Sequence, residues 1–469
     1  MSPNLAFRSS VGSTAASAWA ACLLLAAAPL TGQAARAVVG ATLIDGTGSA
    51  PLENAVVLIA HGRIACVGSR ANCPLPPGVP RFDARGTWIM PGLIDAHVHF
   101  SQTGWFDGRP DAADLRDRFP YPEVVAGLEA NPERFFRAYR CTGVTSVFDV
   151  GGYPWTWELR RRFAADPAAP RIVAAGPLLS TIDFWLNLPG QQQFVYMASD
   201  SLVRAAVRSH AAFASDAVKV WYIMPPQPPD TARIQALVRA AADEAKAHGL
   251  PLIVHATGLW EAKDAIRAGA RVLVHSVFDR PVDEEFIALA RENHVVYVTT
   301  LMVFEGYLEA ALGNVDGSRY PLACVDTTSL TLARSGPPPV DRLNPLLRSP
   351  GIQDIQAQGL ATAMGNAKRL HDEGVSVAVG TDAGNPGTFH GPSIYRELEL
   401  LQETGLKPME VLVAATSTAA LAMGRQAEVG TLERGKAADL LILGADPSVD
   451  IRNVQELRWV VKGGVFWKR

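Results

Sequence analysis

The chain has 469 residues, 48% of them hydrophobic and 19% charged, with a formal charge of −3. That size suits one large domain plus a smaller one, and the balance is that of an ordinary globular protein. No basic stripe is present, which argues against nucleic acid as a partner. The longest basic run, Arg160-Arg161-Arg162, follows Glu158 in a helical-looking stretch and reads as a solvated face.

Residues 1–35 have the layout of a secretory signal peptide. Arg8 precedes an uncharged Ala/Leu-rich stretch from Ala15 to Leu30, followed by Gly32-Gln33-Ala34-Ala35. That apolar core is short for a membrane span, and no later stretch is long enough. An exported, periplasmic or secreted protein is expected, with no stable membrane span after cleavage. Cys22 lies inside the apolar segment, so the mature chain keeps Cys66, Cys73, Cys141 and Cys324. Export permits disulfides, and Cys66 with Cys73 is the only pair close in sequence. Four free buried thiols fit the sequence equally well. None of the cysteines has a zinc-ligand spacing.

Residues 36–90 hold short alternating strands with turn signals, and residues 428–469 repeat the style. Neither segment is large enough to bury a core alone. The economical reading is one small β-sandwich domain assembled from both chain ends. Between them, short apolar runs alternate with helical patterns. The predicted strands are 88–97, 142–150, 171–179, 216–221, 250–257, 270–277, 294–301 and 375–382, with helices such as Asp230–Gly249 and Pro281–Asn293 between. Pro281 suits a first helical turn. Eight strands with intervening helices predict an α/β fold, a (β/α)8 TIM barrel over residues 91–427. An open doubly wound sheet would need a glycine-rich phosphate loop after an early strand, and none is present. Two proline-rich stretches, Met224–Pro229 and Gly336–Pro339, fall on the side of the barrel where active sites lie. They read either as walls of a site or as rigid linkers.

In such a barrel the chemistry sits at the C-terminal strand ends. The first strand ends in His97 and His99, which a strand's period of two points the same way. The fourth carries Lys219 amid apolar residues, the fifth ends in His255, the sixth in His275 and the eighth in Asp382. Each has an ordinary structural explanation alone: a hydrogen-bonded histidine, a snorkelling lysine, a turn aspartate. Together, four of the ten histidines, a lysine and an aspartate converge on one face, which suits a divalent metal centre.

The arrangement resembles the amidohydrolase superfamily over essentially the whole mature chain. The matching motifs are Pro-Gly-Leu-Ile-Asp-Ala-His-Val-His at 91–99, Lys219, His255, His275, Gly-Thr-Asp-Ala-Gly at 380–384, and the return segment 430–440. The stretch Thr381–Gly384 with His390-Gly391 and Glu397-Leu398 is similar to the prolidase-like and imidazolonepropionase-like branch. The resemblance implies two divalent metal ions, zinc by default, and a CO2-derived carbamate on Lys219. It places one metal on His97, His99 and Asp382 and the other on His255 and His275, with carbamylated Lys219 and a hydroxide bridging them. Asp382 is then also the acid/base that moves the proton to the leaving amine. The implied activity is hydrolysis of an amide, peptide or cyclic amide bond in a small molecule or short peptide. Lactones and phosphotriesters are the alternative substrates for the same centre. Within this superfamily a catalytically dead scaffold also exists, but here all six positions hold competent side chains.

Several aromatics lie in loops on the same face: Trp105, Phe106, Trp155, Trp157, Phe184, Trp185, Trp221 and Tyr222. They suit either an apolar substrate moiety or packing under long loops. Tyr222 and His390 are the candidates for gripping the substrate. Arg109 and Arg396 are expected in helix-surface salt bridges rather than on a substrate carboxylate. A homo-oligomer is left open.

Overall fold

The computed structural model describes residues 35–224, 230–315 and 321–469. The expected signal peptide, except Ala35, and the prolines at 225–229 lie outside the described residues. Among the described residues no helix is long and apolar enough to cross a membrane.

The two chain ends do meet in one β unit. Its strands are Arg36–Leu43, Leu52–Ala60, Arg63–Gly68, Arg81–Asp83 and Trp88–Pro91 from the front, and Leu440–Leu443, Leu457–Lys462 and Val465–Lys468 from the back. Hydrogen bonding joins all eight in one sheet, where a sandwich of two sheets was expected. The reason is Trp88–Pro91, which pairs with Arg36–Leu43 on one side and Leu440–Leu443 on the other. Val38, Val57, Ile89, Leu440 and Ile442 supply its own small core.

The predicted first strand is two strands. Trp88–Pro91 belongs to the β unit, and Leu93–Val98 opens the parallel structure. Gly92 makes the break: a Cβ there would stand 2.1 Å from Thr145 Oγ1, so only glycine lets the chain pass. Leu93–Val98, Val144–Asp149 and Arg171–Ala174 form a three-stranded parallel sheet. A seven-stranded parallel sheet follows in the order Phe194–Tyr196, Leu178–Ser180, Val218–Trp221, Leu252–His255, Val272–Val274, Val296–Val298 and Ser376–Ala378. Val-rich strands buried on both faces are what parallel packing between helices demands. Backbone hydrogen bonds also run between the two sheets. Ala96 N donates to Val379 O at 3.1 Å, Asp382 N to His97 O at 2.8 Å, and Asp216 N to Ala174 O at 3.1 Å.

Helices alternate with these strands. Thr231–Ala247 is capped by Asp230, whose carboxylate accepts from Arg233 N at 2.9 Å. The helix expected from Pro281 begins later, at Glu284, because Asp283 caps it by accepting from Phe286 N at 3.0 Å.

Both cysteine pairs are joined, Cys66 to Cys73 and Cys141 to Cys324. The second bond links the helix Phe136–Cys141 to the long insertion before the last parallel strand. That insertion carries the helices Met302–Leu312, Thr327–Arg334 and Ile352–Asp372. Its Ser329 hydroxyl donates to Thr103 O at 2.6 Å, in the loop after the first parallel strand.

Candidate metal centre

The parallel register builds the site. Pairing sets Trp221 beside His255 and His255 beside Val274, so His275 begins just past the sheet on the same border. Across the opening, the first parallel strand delivers His97 and His99, and the turn after Ser376–Ala378 delivers Asp382. Gly380 makes that approach feasible, since a Cβ there would lie 2.5 Å from Val298 Cγ1 and 2.8 Å from His97 Cβ. Three neighbouring residues hold a left-handed backbone without being glycine: His275 at φ 69°, Thr300 at φ 49° and Asp382 at φ 62°. Such strain, greatest for a β-branched threonine, concentrates at functional sites.

The ligand atoms crowd together. His97 Nε2 and His99 Nε2 are 3.2 Å apart. Asp382 Oδ1 lies 3.2 Å from the first and 3.0 Å from the second. It accepts no hydrogen bond within the protein although it is buried. His99 Nδ1 sits 2.6 Å from the Gly151 carbonyl, which can only accept, so Nδ1 carries the proton and Nε2 keeps its lone pair. His275 Nδ1 is 3.8 Å from Asp382 Oδ2 and 2.9 Å from Thr300 Oγ1. His97, His275 and Asp382 each offer a ligand atom within 4.8 Å of the others. The His255 and His275 rings stand 4.3 Å apart.

Protonation states match a cation site. Burial pushes His97 down to about 3 and holds His255 and His275 well below the usual histidine range, so burial favours the neutral, metal-binding form of these rings. Burial also drives Lys219 down to about 7, against the pull of Asp382. Burial alone would raise the Asp382 carboxyl, but His97, His99 and His275 hold it well below the usual carboxylate range. Neutral imidazoles, an ionised carboxylate and an unsatisfied buried oxygen form a donor set that fits divalent metal.

Three buried carboxylates outside the expected ligand set, Asp95, Asp149 and Glu397, brace the backbone around the site. Asp95 accepts from His97 N at 3.2 Å and Thr381 N at 2.9 Å through Oδ1, and from Thr381 Oγ1 at 2.6 Å through Oδ2. It latches the turns of His97 and Asp382 together, and burial pushes it up to about 7. Asp149 accepts from Phe100 N at 2.8 Å, and Glu397 from Met302 N at 2.7 Å. An acid inside the apolar run 93–98 is a readable signal for Asp95. No such signal exists for Thr300 or the Gly151 carbonyl, whose roles arise only from the fold. Asp95→Ala leaves three buried donors unanswered and is expected to cost about 3 kcal/mol or more. It should also lower kcat roughly 10- to 100-fold. Urea denaturation and kcat check this, and wild-type values for both would remove Asp95 from the role.

The six expected ligand residues border one cavity of about 380 Å³, five of them in its wall and the fully buried His97 just behind. The two expected substrate grips do not reach it. Tyr222 follows Trp221, and alternation along the chain turns it away from the cavity that Trp221 lines. Its hydroxyl donates to Asp264 Oδ2 at 2.9 Å. His390 spends both ring nitrogens inside the protein: Nε2 donates to Gln102 O at 3.1 Å, and Nδ1 accepts from Tyr139 Oη at 2.6 Å. It stacks against Phe135 at 3.9 Å and steadies the Gln102 backbone. Trp105, Phe106, Trp155 and Trp157 are buried packing residues, whereas Phe184 and Trp221 line the cavity. Arg396 forms the expected ion pairs, with Glu305 at 2.8 Å and Glu403 at 2.6 Å. Arg109 instead lines the cavity. The insertion walls it too, through Asn344, Leu346 and Leu347 rather than its proline run.

Residues 88–465 match the family described as Amidohydrolase family. The chain is 26% identical to an ochratoxinase of Aspergillus niger over 476 residues, 91% of this chain and 85% of that protein. It is 28% identical to an imidazolonepropionase of Rhizorhabdus wittichii over 434 residues, covering 85% and 90%. The fold is shared with a Xaa-Pro dipeptidase crystallised with bound methionine, at TM-score 0.71 and 23% identity, covering 93% of this chain and 100% of that one.

Proposed function

The chain belongs to the amidohydrolase family and is a hydrolase of carbon–nitrogen bonds, and from that premise we propose that it cleaves an amide, peptide or cyclic amide bond of a small molecule or short peptide at a two-metal centre. One observation carries the reading: His97 Nε2, His99 Nε2 and the unsatisfied Asp382 Oδ1 lie within 3.2 Å of one another beside the cavity. His97, His99 and Asp382 would hold one ion, His255 and His275 the other, and a carbamate on Lys219 both. The hydrogen bonds between the two sheets support a closed (β/α)8 barrel as the frame. Ions of the zinc type, when bound, acidify water and polarise a carbonyl. Asp382, ionised and facing both histidines, takes a proton from the attacking water and passes it to the leaving nitrogen. Water and amide thus become carboxylic acid and amine. Phe184, Phe194 and Trp221 in the wall favour a substrate with an apolar moiety. Residues 1–35 act as an export signal, and both disulfides suit an oxidising compartment.

The test is a panel of N-acyl amino acids, dipeptides, cyclic amides, lactones and phosphotriesters, given to enzyme purified with zinc and bicarbonate. Amine release from an amide, with two metals per chain by elemental analysis, is expected. A preference for lactones or phosphotriesters, or inertness of the fully metallated protein towards all of them, overturns the reading.

A further inference from the structure

Resting on the two-metal reading, we propose that Thr300 is a positioning residue: its hydroxyl orients the His275 ring and keeps the proton on Nδ1, which leaves the lone pair of Nε2 for a metal. Thr300 Oγ1 lies 2.9 Å from His275 Nδ1, and Thr300 is 1% exposed in the cavity wall. A second oxygen near that nitrogen, Asp382 Oδ2 at 3.8 Å, belongs to an ionised carboxylate and can only accept. Both neighbours therefore suit an N–H at Nδ1. The His275 ring packs 4.3 Å from that of His255 and 4.6 Å from that of His97, so its direction decides which nitrogen joins the cluster.

The fold holds that hydroxyl in place against backbone strain. Thr300 sits at φ 49°, a left-handed conformation that glycine adopts freely and a β-branched residue resists. Glu397, fully buried on the helix Ser393–Glu403, clamps the residues on either side. Its Oε1 accepts from Thr299 Oγ1 and from Leu301 N at 3.0 Å, and its Oε2 accepts from Met302 N at 2.7 Å. Thr300 N donates to Gly380 O at 3.1 Å, which ties the turn to the segment leading to Asp382. Ser276 Oγ donates to Thr299 O at 3.0 Å, which ties it to the residue after His275.

A turn built for its backbone alone would carry glycine here without strain. What threonine adds is a methyl group and a hydroxyl, and the hydroxyl is the part that meets His275. Strain of this kind is retained where the surrounding structure over-determines it and the residue serves a site. His99 is held by the same logic, since its Nδ1 faces the Gly151 carbonyl at 2.6 Å. A metal-binding histidine takes its tautomer and ring direction from the partner of its other nitrogen. For His275 that partner is the Thr300 hydroxyl.

The experiment measures zinc affinity, by competition with a coloured chelator, for the wild type, Thr300→Val and Thr300→Ser. Valine keeps the shape, the branch and the strain and removes the hydroxyl alone, whereas serine keeps the hydroxyl. In Thr300→Val one of the two zinc ions should bind roughly 10- to 100-fold more weakly, with kcat falling and KM little changed. Thr300→Ser should recover most of both losses. Unchanged zinc affinity in Thr300→Val, or an equal loss in Thr300→Ser, overturns the assignment while the two-metal reading stands. A wild type that binds fewer than two zinc ions counts against the two-metal reading, and the tautomer then decides Thr300 separately. Nitrogen NMR of the metal-free protein, labelled at histidine, should show the His275 proton on Nδ1 in the wild type and in Thr300→Ser. In Thr300→Val it should shift towards Nε2. A wild-type proton on Nε2, or the same tautomer in all three proteins, overturns the proposal. If Thr300→Val does not fold, Thr300→Ala takes its place in both measurements.

Discussion

Asp382→Asn is expected to lower kcat roughly 10²- to 10⁴-fold, the contribution of a placed general acid–base, while the protein keeps its fold and most of its metal. The substitution suits this position for three reasons. Asparagine is close to isosteric, so its carbonyl oxygen can take the place of Oδ1, 3.0 Å from His99 Nε2 and 3.2 Å from His97 Nε2. Asp382 sits at φ 62°, a left-handed conformation that asparagine tolerates far better than alanine does. The backbone contacts, Asp382 N to His97 O and Asn385 N to Asp382 O, do not involve the side chain at all. What disappears is the negative charge and the capacity to carry a proton. Steady-state kinetics on any cleaved amide, elemental analysis and a melting curve separate these effects. A variant that turns over normally with full metal would strip Asp382 of the acid/base role and leave it a ligand only.

The strand ends were readable because they are local. His97 and His99 alternate along one strand, and Val-rich runs ending in His255 and His275 follow the simplest pattern for buried parallel strands. The failures share a different cause. Tyr222 follows the strand that carries Lys219, yet a side chain's direction flips at every residue along a strand, and its hydroxyl is bonded to Asp264 rather than turned into the cavity. His390 was chosen from a motif, but its partners Tyr139 and Gln102 are 251 and 288 residues away in sequence, and no local pattern encodes them. The sequence reads Arg109 as a helix-surface salt bridge, and it pairs with Asp111. That pair is real, and it faces the cavity because Asn385 draws the guanidinium to the opposite end of the chain. The single mixed sheet escaped notice for the same reason, since Trp88–Pro91 bridges strands contributed by both termini.

Lys219→Met should produce opposite changes in activity and stability, and that opposition identifies the lysine as functional. Lys219 is 1% exposed on the strand Val218–Trp221, where burial draws its amine from 10.5 down to about 7. In the metal-free protein the ammonium form is therefore penalised by the fold. A base whose folded value is depressed carries its full penalty below that value and sheds it as pH rises towards the unfolded value. Here the cost is complete below about pH 7 and fades between 7 and 10.5. At 1.36 kcal/mol per unit it amounts to a few kcal/mol, about 3–5, at neutral pH. Methionine fills similar volume without the charge, so the metal-free variant should be the more stable protein in urea, most clearly at pH 6 to 7. Activity should move the other way. Loss of the amine removes the site of the proposed carbamate, and kcat should drop on the order of 10²-fold or more, with zinc falling towards one per chain. The same titration sets the direction of activation in the wild type. The neutral amine is the form that reacts with CO2, so at fixed dissolved CO2 the metal-free enzyme should load faster at pH 8 than at pH 6, by roughly tenfold. Labelled bicarbonate followed by carbon NMR reads the carbamate directly. Faster loading at pH 6, or a Lys219→Met enzyme that keeps both metals and its turnover, would show that the buried amine is a packing residue and that the two ions are held without it.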